Sequence, residues 1–109
     1  MIKRDKEIIS KEEIVCKTRL QMGRGLMFRS DRKNLIMYLT KERKVSLHMF
    51  FVFYPIDVLL LDQNKKVIEI KENFKPFSFW NSKNKGSYII ELGKEKSKRI
   101  IKVGDQLKF

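Results

Sequence analysis

The sequence predicts a mainly β domain, an antiparallel β-sandwich or barrel with one short N-terminal helix. Three observations support this fold class. Short apolar runs with strand-like alternation recur at fairly even spacing, turn residues separate them, and no strand-helix-strand rhythm of a parallel sheet is present. A chain of 109 residues has room for one such domain.

The first twelve residues are mostly charged, and we interpret them as a lead-in to a single β domain over residues 13–109. After Met1, the apolar residues of this segment are Ile2, Ile8 and Ile9. The segment is therefore expected to be either a solvated lead-in or a short edge strand. The run EIVCK that follows is β-branched enough to predict a strand.

The one helix is expected to begin at Thr18, because Gln21 three residues later completes capping-box spacing. It is expected to end after one or two turns, since Gly23 and Gly25 are poor helix residues and either can adopt the left-handed conformation that ends a helix. This arrangement leaves Arg24 on the corner between the two glycines.

The apolar run from Val45 to Leu61 is too short for a membrane-spanning helix and contains His48, Pro55 and Asp57. It predicts two buried strands bent at Pro55, of which the first is central because both of its faces are apolar. The turn DQNKK predicts that the next strand, VIEIKE, returns antiparallel as a hairpin. The remaining predicted strands are LIMYL before this run and YIIEL, RIIKV and QLKF after it.

The net charge of +12 suggests an anionic partner such as nucleic acid or a membrane surface. Eighteen lysines and seven arginines are spread along the whole chain, however, and alanine is absent. This enrichment in lysine without alanine is explained by compositional drift as well as by selection for a phosphate-binding face. With 42% apolar and 11% aromatic residues, the chain is predicted to fold rather than to be a disordered polyelectrolyte.

The cysteine and histidine content excludes an internal disulfide bond and a cysteine-histidine zinc site. Cys16 is the single cysteine and His48 the single histidine, so no internal disulfide and no cysteine-histidine zinc site can form within the chain. The carboxylates show no metal-binding spacing, and no cofactor is expected. The charged N-terminal stretch lacks the apolar core of a signal peptide, which predicts a cytoplasmic protein.

Several motifs in order resemble a known family. TRLQMGRGLMFR, HMFFVFYPIDVLLLD, KVIEI, SYIIEL and KVGDQLKF together resemble the domain of unknown function 192 family, over roughly residues 13–109. The chain is most similar to its short archaeal members without a signal peptide. The resemblance implies a compact mainly β domain with an undefined biochemical role. Many bacterial members carry Trp-Met-Lys-Asn-Thr before the proline, where this chain reads HMFFVFYP.

The aromatic loop FKPFSFWNSKNKGSY is the best candidate for a binding surface. Aromatic rings interleaved with lysines are typical of proteins that bind single-stranded nucleic acid, where each stacked base contributes about 1–3 kcal/mol. The alternative, which the general burial of aromatic side chains favours, is a lid that folds back over an open end of the sandwich. The candidate binding residues are Phe77, Phe79, Trp80, Lys75, Lys83 and Lys85.

Asp57 is the most conspicuous polar residue of the apolar run, because a buried carboxylate must be paired, hydrogen-bonded or protonated. Arg24 is the expected partner and His48 the second choice, so that the glycines beside Arg24 serve to turn the backbone towards Asp57. An enzyme using Asp57 and His48 is the third functional alternative, without an identifiable nucleophile.

We therefore expect a cytoplasmic, non-enzymatic domain that binds a ligand or a protein partner, with no membrane association. The first alternative is nucleic-acid binding through the loop around Trp80. The identity of the ligand and the oligomeric state have no signal in the sequence.

Overall fold

The computed structural model describes residues 1–17, 33–49, 52–93 and 101–109, and all regular secondary structure in these ranges is β-strand. The prediction of a mainly β domain is confirmed. The short helix expected from Thr18 to the glycines lies outside the described residues, and so does Arg24. Within the described ranges the strands are β1 (Ile2–Arg4), β2 (Glu7–Ser10), β3 (Ile14–Cys16), β4 (Asn34–Arg43), β5 (Ser46–His48), β6 (Ile56–Leu61), β7 (Val67–Phe74), β8 (Phe79–Asn81) and β9 (Gly86–Leu92).

The central element is a five-stranded sheet with the order β3-β4-β9-β6-β7. Every neighbouring pair in it is antiparallel except β3 and β4, which run parallel. Two two-stranded sheets, β1-β2 and β5-β8, accompany it. The mainly antiparallel character expected from the sequence is present, and the parallel pair arises where β3 joins the edge of the sheet.

Alternating side chains divide the five-stranded sheet into two buried faces. In β4, Leu35 and Met37 pack in one apolar cluster and Ile36 in another. In β6, Val58 belongs to the first cluster and Leu59 to the second. We call the side of Leu35 the front face and the side of Ile36 the back face. Both faces need a covering layer, because neither can be left to water.

The two small sheets and the C-terminal segment supply those layers in a sandwich-like arrangement. Leu47 of β5 and Trp80 of β8 pack against the front cluster. Ile2 and Ile9 of the β1-β2 hairpin lie in the back cluster. Ile101 and Leu107 of the C-terminal segment join the same back cluster.

The charged N-terminal segment forms a hairpin attached to the C-terminal segment. Backbone hydrogen bonds join Lys3 and Lys108 in both directions, at 2.9 and 2.8 Å. The Arg4 guanidinium contacts the Asp105 carboxylate at 2.8 Å. The sequence left open a solvated lead-in or a short edge strand, and the structure has two strands there, with Ile2 and Ile9 buried and Ile8 partly buried.

The run that begins at Val45 differs from its prediction. It does not form a central strand, because β5 spans only Ser46–His48 and pairs with β8. Instead, Val45, Met49 and Val52 cross the front face as irregular segments and are buried in the front cluster. Apolar side chains on both faces of a run indicate burial, but they do not distinguish a central strand from a segment that covers a sheet. The second predicted strand of the run, β6, is an interior strand of the five-stranded sheet, between β9 and β7.

The hairpin predicted around DQNKK is confirmed, since β6 and β7 pair antiparallel. The Asp62 carboxylate accepts hydrogen bonds from the backbone N–H groups of Asn64 at 2.9 Å and Lys66 at 3.0 Å. Of the two C-terminal predicted strands, RIIKV lies partly outside the described residues. QLKF makes isolated bridges to Lys3 and Lys66 rather than a strand, because its pairing passes from Lys66 at Gln106 to Lys3 at Lys108 within three residues.

Candidate binding surface

The predicted aromatic loop connects β7 to β9 and contains β8, whose alternation divides its aromatic rings between core and solvent. Leu47 and Trp80 are opposite each other in the β5-β8 sheet and point towards the front cluster. His48 and Phe79 form the next pair and point outwards, where both are exposed. Trp80 is thus a half-buried core contact, and Phe79 is the ring that β8 presents to solvent.

A tight turn precedes β8 and holds Phe77 in an unusual backbone conformation. Phe77 has φ = 59°, and the Ser78 N–H donates to the Lys75 carbonyl at 3.3 Å. Pro76 before a residue with positive φ is the pattern of a type II turn, in which glycine is the usual residue at the position of Phe77. Backbone hydrogen bonds at 2.9 Å from Phe77 to Met49 and from Met49 to Ser78 fix this turn to the end of β5.

Three exposed phenylalanines form the surface that we call the aromatic surface: Phe53, Phe77 and Phe79. Their exposed fractions are 61%, 56% and 68%. The rings of Phe53 and Phe77 meet edge to face with centroids 6.2 Å apart. Phe53 has no place among the sequence-based candidates, because it lies in the apolar run far from the loop and only the fold brings it beside Phe77. Exposed aromatic rings that lie side by side, as those of Phe53 and Phe77 do, are typical of interaction sites.

Lysines accompany the aromatic surface. Lys75 lies in the turn itself, and Lys83 and Lys85 lie in the loop after β8, which we call the lysine loop (residues 82–85). All three side chains are exposed. None of their ammonium groups takes part in an ion pair within the described ranges. Their charges therefore remain available to an anionic ligand.

The structure describes Asp57 but not Arg24, its predicted partner. Asp57 lies at the start of β6, where the register with β7 shifts, and its carboxylate accepts a hydrogen bond from the Asn73 N–H at 2.9 Å. Arg24 lies outside the described residues, so its pairing with Asp57 stays a prediction. His48, the second choice, lies in the β5-β8 sheet, whereas Asp57 lies in the five-stranded sheet.

A buried carboxylate that sequence reasoning missed lies on β9. Glu91 is directly opposite Leu35 on one side and Val58 on the other. Its burial among apolar neighbours raises its pKa to about 7. The signal was present in YIIEL, where strand alternation places Glu91 on the same face as Ile89.

The described residues show two further features relevant to function. In this part of the chain, no group of three or more histidine, cysteine, aspartate or glutamate side chains is placed to hold a metal ion. No helix in the same ranges has the length and apolar character to cross a bilayer.

Comparison with known sequences identifies related proteins. The model of the family DUF192, described as Uncharacterized ACR, matches residues 2–109. A UPF0127 protein of Pyrococcus horikoshii is 37% identical over 89 residues, which cover 78% of this chain and 76% of that protein. A UPF0127 protein of Pyrococcus furiosus is 35% identical over 88 residues, which cover 78% of this chain and 75% of that protein.

Solved structures of two bacterial proteins have the same fold. A protein of unknown function from Novosphingobium aromaticivorans matches with a TM-score of 0.79 and 20% identity, over 89% of this chain and 74% of that chain. A Sinorhizobium meliloti protein, whose name proposes a role as a transcription regulator, matches with a TM-score of 0.81 and 24% identity, over 88% of this chain and 79% of that chain.

Proposed function

The chain belongs to the DUF192 family, and we propose that it is a non-enzymatic binding domain that takes single-stranded nucleic acid on its aromatic surface. The observation that carries this proposal is Phe77, a large apolar side chain that is exposed and is also held in a left-handed backbone conformation. A cytoplasmic location, expected from the sequence, is part of the proposal.

The conformation of Phe77 is unfavourable for the fold taken alone. A non-glycine residue in a sparsely populated backbone region costs about 1–3 kcal/mol, and such residues cluster at binding sites and other functional positions. Burial of the ring would offset that cost, but the Phe77 ring is mostly in solvent. The turn therefore presents a ring to solvent at the expense of stability, which is the arrangement expected of a ligand contact.

The chemistry of the surroundings favours nucleic acid over an uncharged ligand. Phenylalanine faces stack on any base, and each stacked base contributes about 1–3 kcal/mol. Lys75, Lys83 and Lys85 are exposed, lie within six residues of Phe79 in the sequence, and can contact phosphates. The net charge of +12 adds a general attraction for a polyanion.

The structural relatives are compatible with this proposal. The role proposed by the name of the Sinorhizobium meliloti protein, transcription regulation, concerns that protein. For the present chain, nucleic-acid binding is proposed from its own exposed rings and lysines.

Binding is tested by fluorescence anisotropy with labelled single-stranded RNA and DNA of about 12 nucleotides, within the range of site sizes of small single-strand binders. We expect binding at low salt that weakens steeply as salt rises. Phe77→Ala and Phe79→Ala should each weaken binding about tenfold, as expected for the loss of one stacked base. Val103→Ala, an exposed apolar side chain of the C-terminal segment, is the matched control and should have no effect.

Two results would contradict the proposal. Failure of the wild-type protein to bind any oligonucleotide at low salt would assign the aromatic surface to another class of ligand, such as a protein partner. Binding that is insensitive to both phenylalanine substitutions would show that the positive charge alone attracts the oligonucleotide.

A further inference from the structure

The lysine loop is tied to the five-stranded sheet by a single carboxylate, that of Glu69 on β7. Glu69 accepts hydrogen bonds from the backbone N–H of Lys83 at 2.9 and 3.1 Å. It also accepts from the backbone N–H of Asn84 at 2.9 Å and from the Asn84 side-chain amide at 3.1 Å. Charged acceptors make hydrogen bonds about twice as strong as neutral ones.

Ser82 fixes the start of the same loop from the other side. Its hydroxyl accepts from the Val45 N–H at 2.8 Å and donates to the Asn84 carbonyl at 2.9 Å. Its own N–H donates to the Val45 carbonyl at 2.8 Å. The backbone of the lysine loop is therefore held at both Ser82 and Asn84, while the ammonium groups of Lys83 and Lys85 extend into solvent.

The anchored loop is within reach of Phe79 along the chain. Lys83 follows Phe79 by four residues, so the two Cα atoms are separated by at most about 14 Å of extended chain. A strand whose base stacks on Phe79 can therefore bring a neighbouring phosphate to this loop. Holding the backbone that carries the lysines in advance of binding reduces the ordering cost of the complex.

We infer that Glu69 is a positioning residue for nucleic-acid binding: it holds the lysine loop so that Lys83 and Lys85 contact the phosphates of a strand stacked on Phe79. The inference rests on the proposed function and assigns the phosphate-contacting part of the same site. Glu69 itself does not touch the ligand and acts through the backbone of the loop.

Charge and positioning make opposite predictions for removal of Glu69. Loss of a carboxylate raises the net charge of the protein, and for a polyanion ligand that effect alone strengthens binding. Loss of the loop anchor weakens binding instead. Glu72, exposed on the same strand, is the matched control because Glu72→Ala changes the charge equally without releasing the loop.

The experiment measures oligonucleotide affinity by anisotropy over a range of salt concentrations. We expect Glu72→Ala to bind as tightly as the wild type or more tightly. Glu69→Ala should bind at least threefold more weakly, and the slope of log affinity against log salt should become shallower by about 0.7 for each phosphate that the lysines no longer neutralise. Glu69→Gln keeps one acceptor oxygen, so its affinity should lie between those of Glu69→Ala and the wild type. This milder variant shows whether the loss in Glu69→Ala comes from misfolding.

A double-mutant cycle decides whether Glu69 acts through the lysines. In the Lys83→Ala/Lys85→Ala background, adding Glu69→Ala should produce no further loss of affinity. Amide hydrogen exchange at Lys83 and Asn84 should accelerate in Glu69→Ala and stay unchanged in Glu72→Ala.

The outcomes separate this inference from the proposed function. If Phe77→Ala and Phe79→Ala weaken binding but Glu69→Ala binds like Glu72→Ala with an unchanged salt slope, the positioning role is wrong and the aromatic surface stands. If the losses of binding free energy caused by Glu69→Ala and by the lysine substitutions are additive, Glu69 does not act through the lysines, and the positioning role is wrong. Absence of wild-type binding overturns both.

Discussion

Glu91 is a titratable residue placed where the interior favours its neutral form. It lies on β9 between Leu35 and Val58, and burial raises its pKa from an ordinary value of 4.5 to about 7. The group is protonated in the folded protein and ionised in the unfolded chain between these two values. Its contribution to stability is therefore present below about pH 4.5 and is lost as the pH rises towards 7.

We predict that Glu91→Gln removes this pH dependence. The wild type should lose up to about 3 kcal/mol of unfolding free energy relative to the variant as the pH rises through this window. Urea unfolding of both proteins at a series of pH values measures the difference between their free energies of unfolding. The titration of the other carboxylates cancels in this difference. A flat difference curve would mean that Glu91 is ionised in the folded protein at neutral pH.

Phe77 allows backbone strain to be separated from ligand contact with a pair of substitutions. Phe77→Gly and Phe77→Ala both remove the ring, but only glycine accepts positive φ without a steric penalty. We predict that the glycine variant is more stable than the alanine variant by about 1 kcal/mol, while both bind oligonucleotide equally weakly. Denaturant unfolding beside the anisotropy assay measures both quantities, and equal stability of the two variants would disprove strain at this turn.

At the scale of elements, the N-terminal hairpin acts as one of the covering layers. Ile2 and Ile9 are buried against the back face, and full burial of such a side chain stabilises a fold by about 1.5–3 kcal/mol. Its charged residues, which suggested a lead-in, occupy the solvent side of the hairpin. The two isoleucines attach the hairpin to the sheet together with the Lys3–Lys108 backbone hydrogen bonds and the Arg4–Asp105 ion pair.

We predict that removal of residues 1–12 destabilises the protein by several kcal/mol, since it uncovers the back cluster and removes the pairing with the C-terminal segment. Ile9→Ala in the intact chain should cost about 2–5 kcal/mol, and Lys6→Ala in the exposed turn between β1 and β2 should be neutral. Thermal unfolding of the three variants provides the comparison. A truncated protein as stable as the wild type would support a domain limited to residues 13–109.

At the scale of the whole molecule, both faces of the five-stranded sheet carry covering layers. Within the described ranges, the exposed phenylalanines Phe53, Phe77 and Phe79 lie in or beside the β5-β8 layer. The β5-β8 sheet has an inner face that completes the front cluster and an outer face that carries Phe79 and His48. This division gives the covering layer a structural role on its inner face, and the proposed binding role belongs to its outer face. The lysines are spread along the chain, so the total charge does not by itself locate a site.

The sequence by itself determined the fold class, the hairpin around DQNKK and the family, because strand alternation, turn chemistry and ordered motifs are local properties of the chain. It also indicated the aromatic loop as the candidate binding surface, beside the favoured alternative of a lid, and the binding role stays a prediction. It did not predict which rings are exposed, since Phe77, Phe79 and Trp80 are alike in local pattern.

Only the tertiary structure decided that Trp80 is directed to the core and that Phe79 is exposed. Burial of a ring depends on which side of β8 meets the five-stranded sheet, and that is a property of the docked layers. The same physical reason explains why Phe53, distant in sequence, joins the aromatic surface. It also explains why β6 lies inside the five-stranded sheet while β5 covers it.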